Sequence, residues 1–236
     1  MNLYHSSGKR NFDKDLKSKK MKKNIAIVLA GCGVFDGAEI HEATLTMLAV
    51  ARQGAVYQIF APDIKQAHVI NHYTGEVMPE SRNVLVESAR IARGKIKPLR
   101  ILDMRDFDAV IFPGGFGVAK NLCTFAFDGP DCSVNKDVEK VVLSAVKQGK
   151  PIGALCIAPA MITKILGNVR VTIGQDEGTI SSIEKMGGKH VTTTHGQIVT
   201  DEKYKLVTTP CYMLDATIDQ IADGADNLVK AVLALC

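Results

Sequence analysis

Residues 151–166 read PIGALCIAPAMITKIL. The apolar run Ile152 to Leu155 has the length and continuity of a short buried strand. Cys156 follows at once. A helix-like stretch comes next, with Ile157, Met161, Ile162, Ile165 and Leu166 as its apolar residues. A cysteine at such a corner stands clear of the sheet, at the N-terminus of a helix. Backbone N–H groups and the helix dipole there favour the thiolate, the nucleophilic form. Gly153 removes side-chain bulk just before the turn. The pattern is that of a nucleophile elbow with Cys in place of Ser. The competing reading is a small, inert, buried thiol, which is what a free cysteine in an apolar run most often is. The corner position favours a reactive Cys156 with a lowered pKa.

The rest of the chain alternates short strands with helices. Asn24 to Ala30 (NIAIVLA) reads as a buried strand, followed by the loop GCGVFDG. Ala38 to Gln53 reads as a helix with Ile40, Ala43, Leu45, Leu48 and Ala49 near helical spacing, stopped by Gly54. Val56 to Ala61, Ala109 to Phe112, Val169 to Ile173, His190 to Thr193 and Lys205 to Thr209 read as strands. Val84 to Ala92, Asn135 to Gln148, Thr179 to Met186 and Asp215 to Leu235 read as helices. Residues 62 to 82 are turn-rich, with Thr74-Gly75 marking a small hairpin. This alternation predicts an α/β fold, a mostly parallel sheet with helices on both faces. Residues 24–236 carry no linker and read as one domain. Ligands in such folds sit outside the carboxyl ends of the strands. The loops GCGVFDGAE, PGGFG and the Cys156 corner all leave strand carboxyl ends and are expected to share one crevice.

The 236 residues carry a net charge of +4, unevenly placed. The first 23 residues hold eight basic side chains against Asp13 and Asp15, so the remainder is mildly acidic. That remainder is not built for nucleic acid. Residues 1–23 read as a basic, disordered tail without the apolar region of a secretory signal. No apolar run approaches the roughly 20 residues that cross a bilayer, so no membrane role is expected. Six cysteines at 32, 123, 132, 156, 211 and 236 lack paired spacing and read as reduced thiols in a cytoplasmic protein. No metal-binding motif is present, and no metal or cofactor is expected.

Around the thiol, four groups carry chemistry. Glu39 stands where the first loop enters its helix. Shielded from water it would be protonated, able to hydrogen-bond a thiolate and relay protons. Equally, it could simply complement the helix dipole. Gly114 and Gly115 open the backbone after the third strand and suit an oxyanion hole completed by the N–H of Ile157; a tight turn is the plain alternative. Cys32, inside the first loop, and His41, two residues past Glu39, are candidates for lining the pocket. His195 could return to the crevice but equally suits an exposed loop.

These residues resemble a known family. The acid in GAE, the PGG loop and the cysteine elbow resemble the DJ-1/PfpI superfamily, within the class I glutamine amidotransferase-like fold. LAGCGVFDGAEIHEA, PGGFGVAKNLCTFAFDG, GALCIAPAMI and LVTTPCYM look most like its ES1/ElbB branch, the glyoxalase III-like proteins. The resemblance spans nearly all of residues 24–236. It implies a flavodoxin-like three-layer sandwich, a homodimer, Cys156 as nucleophile and Glu39 as its acid. It also implies glutathione-independent conversion of glyoxal to glycolate, with a small aldehyde or dicarbonyl as substrate. Ile157 stands where protease-like members have His, and TTPCYM lacks the His and Glu that an amidotransferase triad needs. Peptidase and amidotransferase chemistry are therefore disfavoured.

Two other readings compete. Gly31, Gly33, Gly37 and Asp63 suggest a dinucleotide site, but the glycine spacing is one residue too long and two acids would crowd a pyrophosphate. A non-catalytic redox sensor would use the same thiol, oxidised to a sulfinic acid.

Overall fold

The computed structural model describes residues 22–236, so the expected basic tail lies outside the described residues save for Lys22 and Lys23. In chain order the elements are β1 (Asn24–Val28), α1 (Ile40–Arg52), β2 (Val56–Ala61), α2 (Val84–Ile91), β3 (Ile96–Pro98), β4 (Ala109–Phe112) and α3 (Phe125–Asp128). There follow α4 (Lys136–Lys147), β5 (Ile152–Leu155), α5 (Ala158–Leu166), β6 (Arg170–Val171), α6 (Glu177–Lys185), β7 (Lys189–His190), β8 (Val199–Asp201), β9 (Leu206–Thr209) and α7 (Ile218–Ala234). Seven strands form one sheet in the order β3-β2-β1-β4-β5-β9-β8. Every pairing is parallel except β8 with β9.

Strand composition explains the layers. A strand sends alternate side chains to opposite faces, and a parallel sheet covered twice needs apolar residues on both. Ile25 and Ile27 of β1, with Ile111 of β4 and Val207 of β9, pack under α1 and α7. Ala26, Val28, Val110, Phe112 and Ile152 pack on the other face against α4 and α5. The result is the flavodoxin-like three-layer arrangement. Gly153 of β5 lies directly beneath α7. A β-carbon there would fall 2.8 Å from Leu228 Cδ2 and 3.1 Å from Ile111 Cγ1, so only glycine lets the helix seat.

Several local expectations change. The strands expected at 169–173 and 190–193 shrink to β6 and β7, two residues each, in a separate two-stranded parallel sheet. Two short edge strands, β3 (IKP) and β8 (VTD), lacked an apolar run to announce them. Short, polar or proline-bearing edges resist pairing with other chains. In α1, Ile40 and Leu48 are exposed; the buried face is Glu42, Ala43, Thr46, Ala49 and Val50. The hairpin near Thr74-Gly75 is present, closed by an Ile70–Val77 bridge.

Parallel β1, β4, β5 and β9 deliver their carboxyl ends to one rim, and backbone bonds knit the loops there. Glu39 N–H donates to Gly114 O at 2.9 Å and Gly117 N–H to Gly37 O at 2.8 Å. Cys156 N–H donates to Thr209 O at 2.9 Å. The first loop also bonds to itself, Gly33 N–H to Ala38 O and Gly37 N–H to Gly33 O, which takes those amides from any pyrophosphate. Among the described residues, no helix is long and apolar enough to cross a membrane.

Because Leu228 is fully buried over β5, Leu228→Ala should cost about 2–5 kcal/mol. Urea unfolding followed by circular dichroism measures it; a loss under about 1 kcal/mol would mean that α7 does not clamp the elbow strand.

Candidate active site

Cys156 occupies the turn between β5 and α5 with φ +58°, a left-handed conformation costly for any residue with a β-carbon. The bond from its N–H to Thr209 O holds it there. The backbone N–H groups of Gly115 and Ile157 reach its sulfur. The expected elbow is thus built, but the thiol is nearly covered, at 7% exposure. Its pKa is not lowered. Burial pushes it well above the ordinary thiol value and the neighbouring Glu42 charge adds to this, against the two N–H donors that favour the thiolate.

The carboxyl beside the sulfur is Glu42, not Glu39. Glu42 is fully buried and hydrogen-bonds the Cys156 thiol. Its Oε2 accepts Gly114 N–H at 2.9 Å and its Oε1 accepts Tyr212 N–H at 3.3 Å. Gly114 makes the meeting possible. A β-carbon on Gly114 would lie 2.3 Å from Cys156 Cβ, 2.9 Å from Cys156 Sγ and 2.7 Å from Glu42 Oε2. Glu39 is spent on the helix: its Oε2 accepts Glu42 N–H at 2.7 Å as the N-cap of α1. Of the two readings left open for Glu39, helix-end complementation describes its bonding, and the cap fixes the turn that carries Glu42.

Burial, then the charge of Glu39, push the Glu42 pKa up to about 8, against hydrogen bonds from Tyr212, Gly114 and Cys156. Glu42 is therefore protonated at neutral pH. Glu42 and Cys156 titrate as a pair. One proton leaves the pair as pH passes about 8. That proton leaves from Glu42, because burial raises the Cys156 thiol further, well above its ordinary value, despite the N–H groups of Gly115 and Ile157.

A cavity of about 300 Å³ opens onto the sulfur, with Gly115, Ile157 and Tyr212 in its wall. His41 does not line it but touches it indirectly, through Nδ1 2.8 Å from Tyr212 Oη. Cys32 faces the other way, toward Glu87 and Arg90 of α2, and does not line the cavity. His195 is exposed and bonds Asp215 O at 2.9 Å, away from the thiol. Cys211, deeply buried near Cys156 and Glu42, has its thiol pushed well above the ordinary value by burial. A larger open groove of about 940 Å³ along β8, lined by Arg170 and Lys230, contains none of these groups. Among the described residues, no cluster of three or more His, Cys, Asp or Glu side chains is placed to hold a metal.

Sequence reading missed Glu42 and Tyr212. Glu42 had a signal: it lies four residues after Ala38 and four before Thr46, on the stripe that α1 buries. A carboxylate on a core stripe is costly unless it is used. Tyr212 had none, since only the fold brings the segment after β9 to α1.

No family model matches the chain. Its relatives are nevertheless clear. It is 49% identical to the human "Glutamine amidotransferase-like class 1 domain-containing protein 3, mitochondrial" over 89% of this chain and 82% of that protein. It is 48% identical to the rat "ES1 protein homolog, mitochondrial" over 91% of this chain and 84% of that protein. A crystal structure of an isoprenoid biosynthesis protein with an amidotransferase-like domain from Ehrlichia chaffeensis superposes with a TM-score of 0.85 at 36% identity, over 90% of this chain and 99% of that one. Glyoxalase III from Candida albicans shares the fold at a TM-score of 0.59 and 17% identity, over 90% of this chain and 97% of that one. The chain belongs to the ES1 (glutamine amidotransferase-like class 1 domain) family. One expectation is overturned: the human, rat and zebrafish relatives are all named mitochondrial, against the cytoplasmic reading.

The raised Glu42 pKa gives two measurable outcomes. A carboxyl near 8 when folded and near 4.5 when unfolded binds more protons in the folded state between those values. Its contribution to stability is full below 4.5 and is lost as pH rises through 8. Glu42→Gln should remove that slope, worth on the order of a few kcal/mol, in urea unfolding at pH 5 and pH 9. In wild type, alkylation of Cys156 by iodoacetamide should climb through an inflection near pH 8, absent in Glu42→Gln. An identical inflection in both proteins would remove Glu42 from the pair.

Proposed function

We propose that this protein is a glutathione-independent glyoxalase that converts small dicarbonyls to hydroxy acids, glyoxal to glycolate, through Cys156 and Glu42. The observation that carries the reading is the contact of a buried protonated carboxyl with a thiol that two backbone N–H groups address. Among the described residues no histidine lines the cavity, so an acyl transfer that needs a histidine base has none there, whereas the aldehyde chemistry can use Glu42. The shared fold of the Candida albicans glyoxalase III is consistent with this reading.

The chemistry starts from the singly deprotonated pair, the Glu42 carboxylate beside the Cys156 thiol. The Glu42 carboxylate takes the thiol proton as sulfur adds to one aldehyde carbon, then gives it to the developing oxyanion, which the N–H groups of Gly115 and Ile157 also stabilise. The product is a hemithioacetal, and Glu42 is now a carboxylate. It takes the hydrogen from the same carbon and gives it to the neighbouring carbonyl oxygen, forming an enediol, then carries the first hydroxyl's proton to the neighbouring carbon, leaving a thioester. Water then attacks the acyl carbon and passes a proton to Glu42. Hydroxy acid leaves, the departing sulfur takes that proton, and the carboxylate–thiol pair is restored. Binding to the pair suits activity that rises with pH toward about 8, where the reactive form accumulates. The names of the relatives support a mitochondrial location, testable by fractionating cells that express the full chain.

Proton NMR of glyoxal incubated with the enzyme should show glycolate without glutathione, metal or nicotinamide. Cys156→Ala should abolish it, and Glu42→Gln should cut turnover about 100-fold or more, since an amide hydrogen-bonds but cannot relay protons. Glu39→Gln should retain most activity because its amide oxygen can still cap α1. Full activity in Glu42→Gln would overturn the mechanism. Untouched glyoxal with ready oxidation of Cys156 by mild peroxide would favour a redox sensor in its place.

A further inference from the structure

The cavity above Cys156 is much larger than glyoxal requires. A four-atom dicarbonyl fills roughly the space of two waters, about 60 Å³, against a cavity of about 300 Å³. The surplus space is apolar. Its wall is built from Val34, Phe116, Ala119, Phe125, Ile157 and Met213, drawn from the loops after β1, β4, β5 and β9 and from α3. Phe116 is 49% exposed and stands at the mouth. A half-open ring over a covered thiol is costly to leave in water and cheap to bury under a ligand.

The polar groups around this wall argue against a charged ligand. Among the described residues, no lysine, arginine or histidine lines the cavity. Lys120 lies nearby, but its Nζ donates to Phe35 O at 2.8 Å and rests 5.4 Å over the Phe116 ring. The one charged lining residue is Asp176, the N-cap of α6. Its carboxylate accepts Thr179 N–H at 2.8 Å, and hydrogen bonds from Thr179 hold its pKa below the usual carboxylate range. An anion such as a phosphate or carboxylate would meet that charge with nothing to balance it.

We infer that the substrate of this site is a neutral 2-oxoaldehyde with an apolar substituent of several carbons, whose dicarbonyl end meets Cys156 while its tail fills the Phe116–Phe125–Met213 wall. The inference rests on the glyoxalase reading and narrows its substrate. It departs from the small aldehyde or dicarbonyl that the family resemblance implied. The chemistry is unchanged: the aldehyde carbon takes the sulfur, the adjacent ketone becomes the carbinol, and the acid leaves with its tail intact.

The test is a chain-length series with the full protein: glyoxal, methylglyoxal, 2-oxobutanal and 2-oxohexanal. Each methylene buried should raise kcat/KM about fourfold until the cavity is full. Phe125→Ala should flatten that slope more than it lowers glyoxal turnover. A second measurement needs no turnover: alkylation of Cys156 by N-butyl iodoacetamide should outpace that by iodoacetamide several-fold in wild type, and the advantage should shrink in Phe125→Ala. If glyoxal is consumed but kcat/KM stays flat or falls with chain length, and the butyl reagent gains nothing, the apolar-tail inference is overturned and the glyoxalase reading stands. If no dicarbonyl is consumed while the butyl reagent still labels Cys156 faster, the glyoxalase reading fails and the apolar site survives.

Discussion

A carboxyl group held against a thiol inside a protein is the constraint on which the site depends. Both groups prefer water when charged, and neither has it here. Burial therefore keeps Glu42 protonated to about pH 8 and keeps Cys156 from ionising on its own. The two must share their protons. Four surrounding features serve that contact: the cap from Glu39, the missing side chain at Gly114, the left-handed backbone at Cys156, and the N–H groups of Gly115, Ile157 and Tyr212. Each fixes or frees the backbone around the pair, and is rigid because the sheet and helices behind it are packed.

The parallel sheet supplies the convergence. In the order β3-β2-β1-β4-β5-β9-β8, the strands that feed the site are neighbours, though they are widely separated along the chain. Glu42 comes one turn into the helix after β1, Gly114 and Gly115 follow β4, Cys156 follows β5, and Tyr212 follows β9. The same topology makes the cavity wall a mosaic of loops. Its apolar character can then vary from one member of the family to another without disturbing the thiol and its acid.

Much of this was legible in the chain. Apolar runs at 24–30, 109–112 and 152–155 revealed strands buried on both faces, and the Cys156 corner revealed the elbow. What failed did so for physical reasons. Strands β3 and β8 are edges, so they need no apolar run. The stretches near 170 and 190 are apolar enough for strands but find only each other. Glu39 attracted attention because it stands where the first loop enters its helix, yet the helix end consumed its oxygen. The acid that counts sits one turn further, where the helix faces the core. The thiol's pKa was misjudged because the helix dipole is weaker than desolvation at full burial. Cys32 lies in the right loop on the wrong side of it.

The last strand to be made is an interior one. β9 lies between β5 and β8, and its Thr209 carbonyl holds the Cys156 turn, while Tyr212 just beyond it holds Glu42. During synthesis, the cysteine and its acid therefore emerge from the ribosome well before the segment that disciplines them. A chain halted after α6 would expose an ordinary thiol beside an ordinary glutamate, with a gap in the sheet where β9 belongs. The anchored thiol–carboxyl contact thus arrives only with the carboxyl-terminal quarter of the polypeptide, and it arrives together with structural closure.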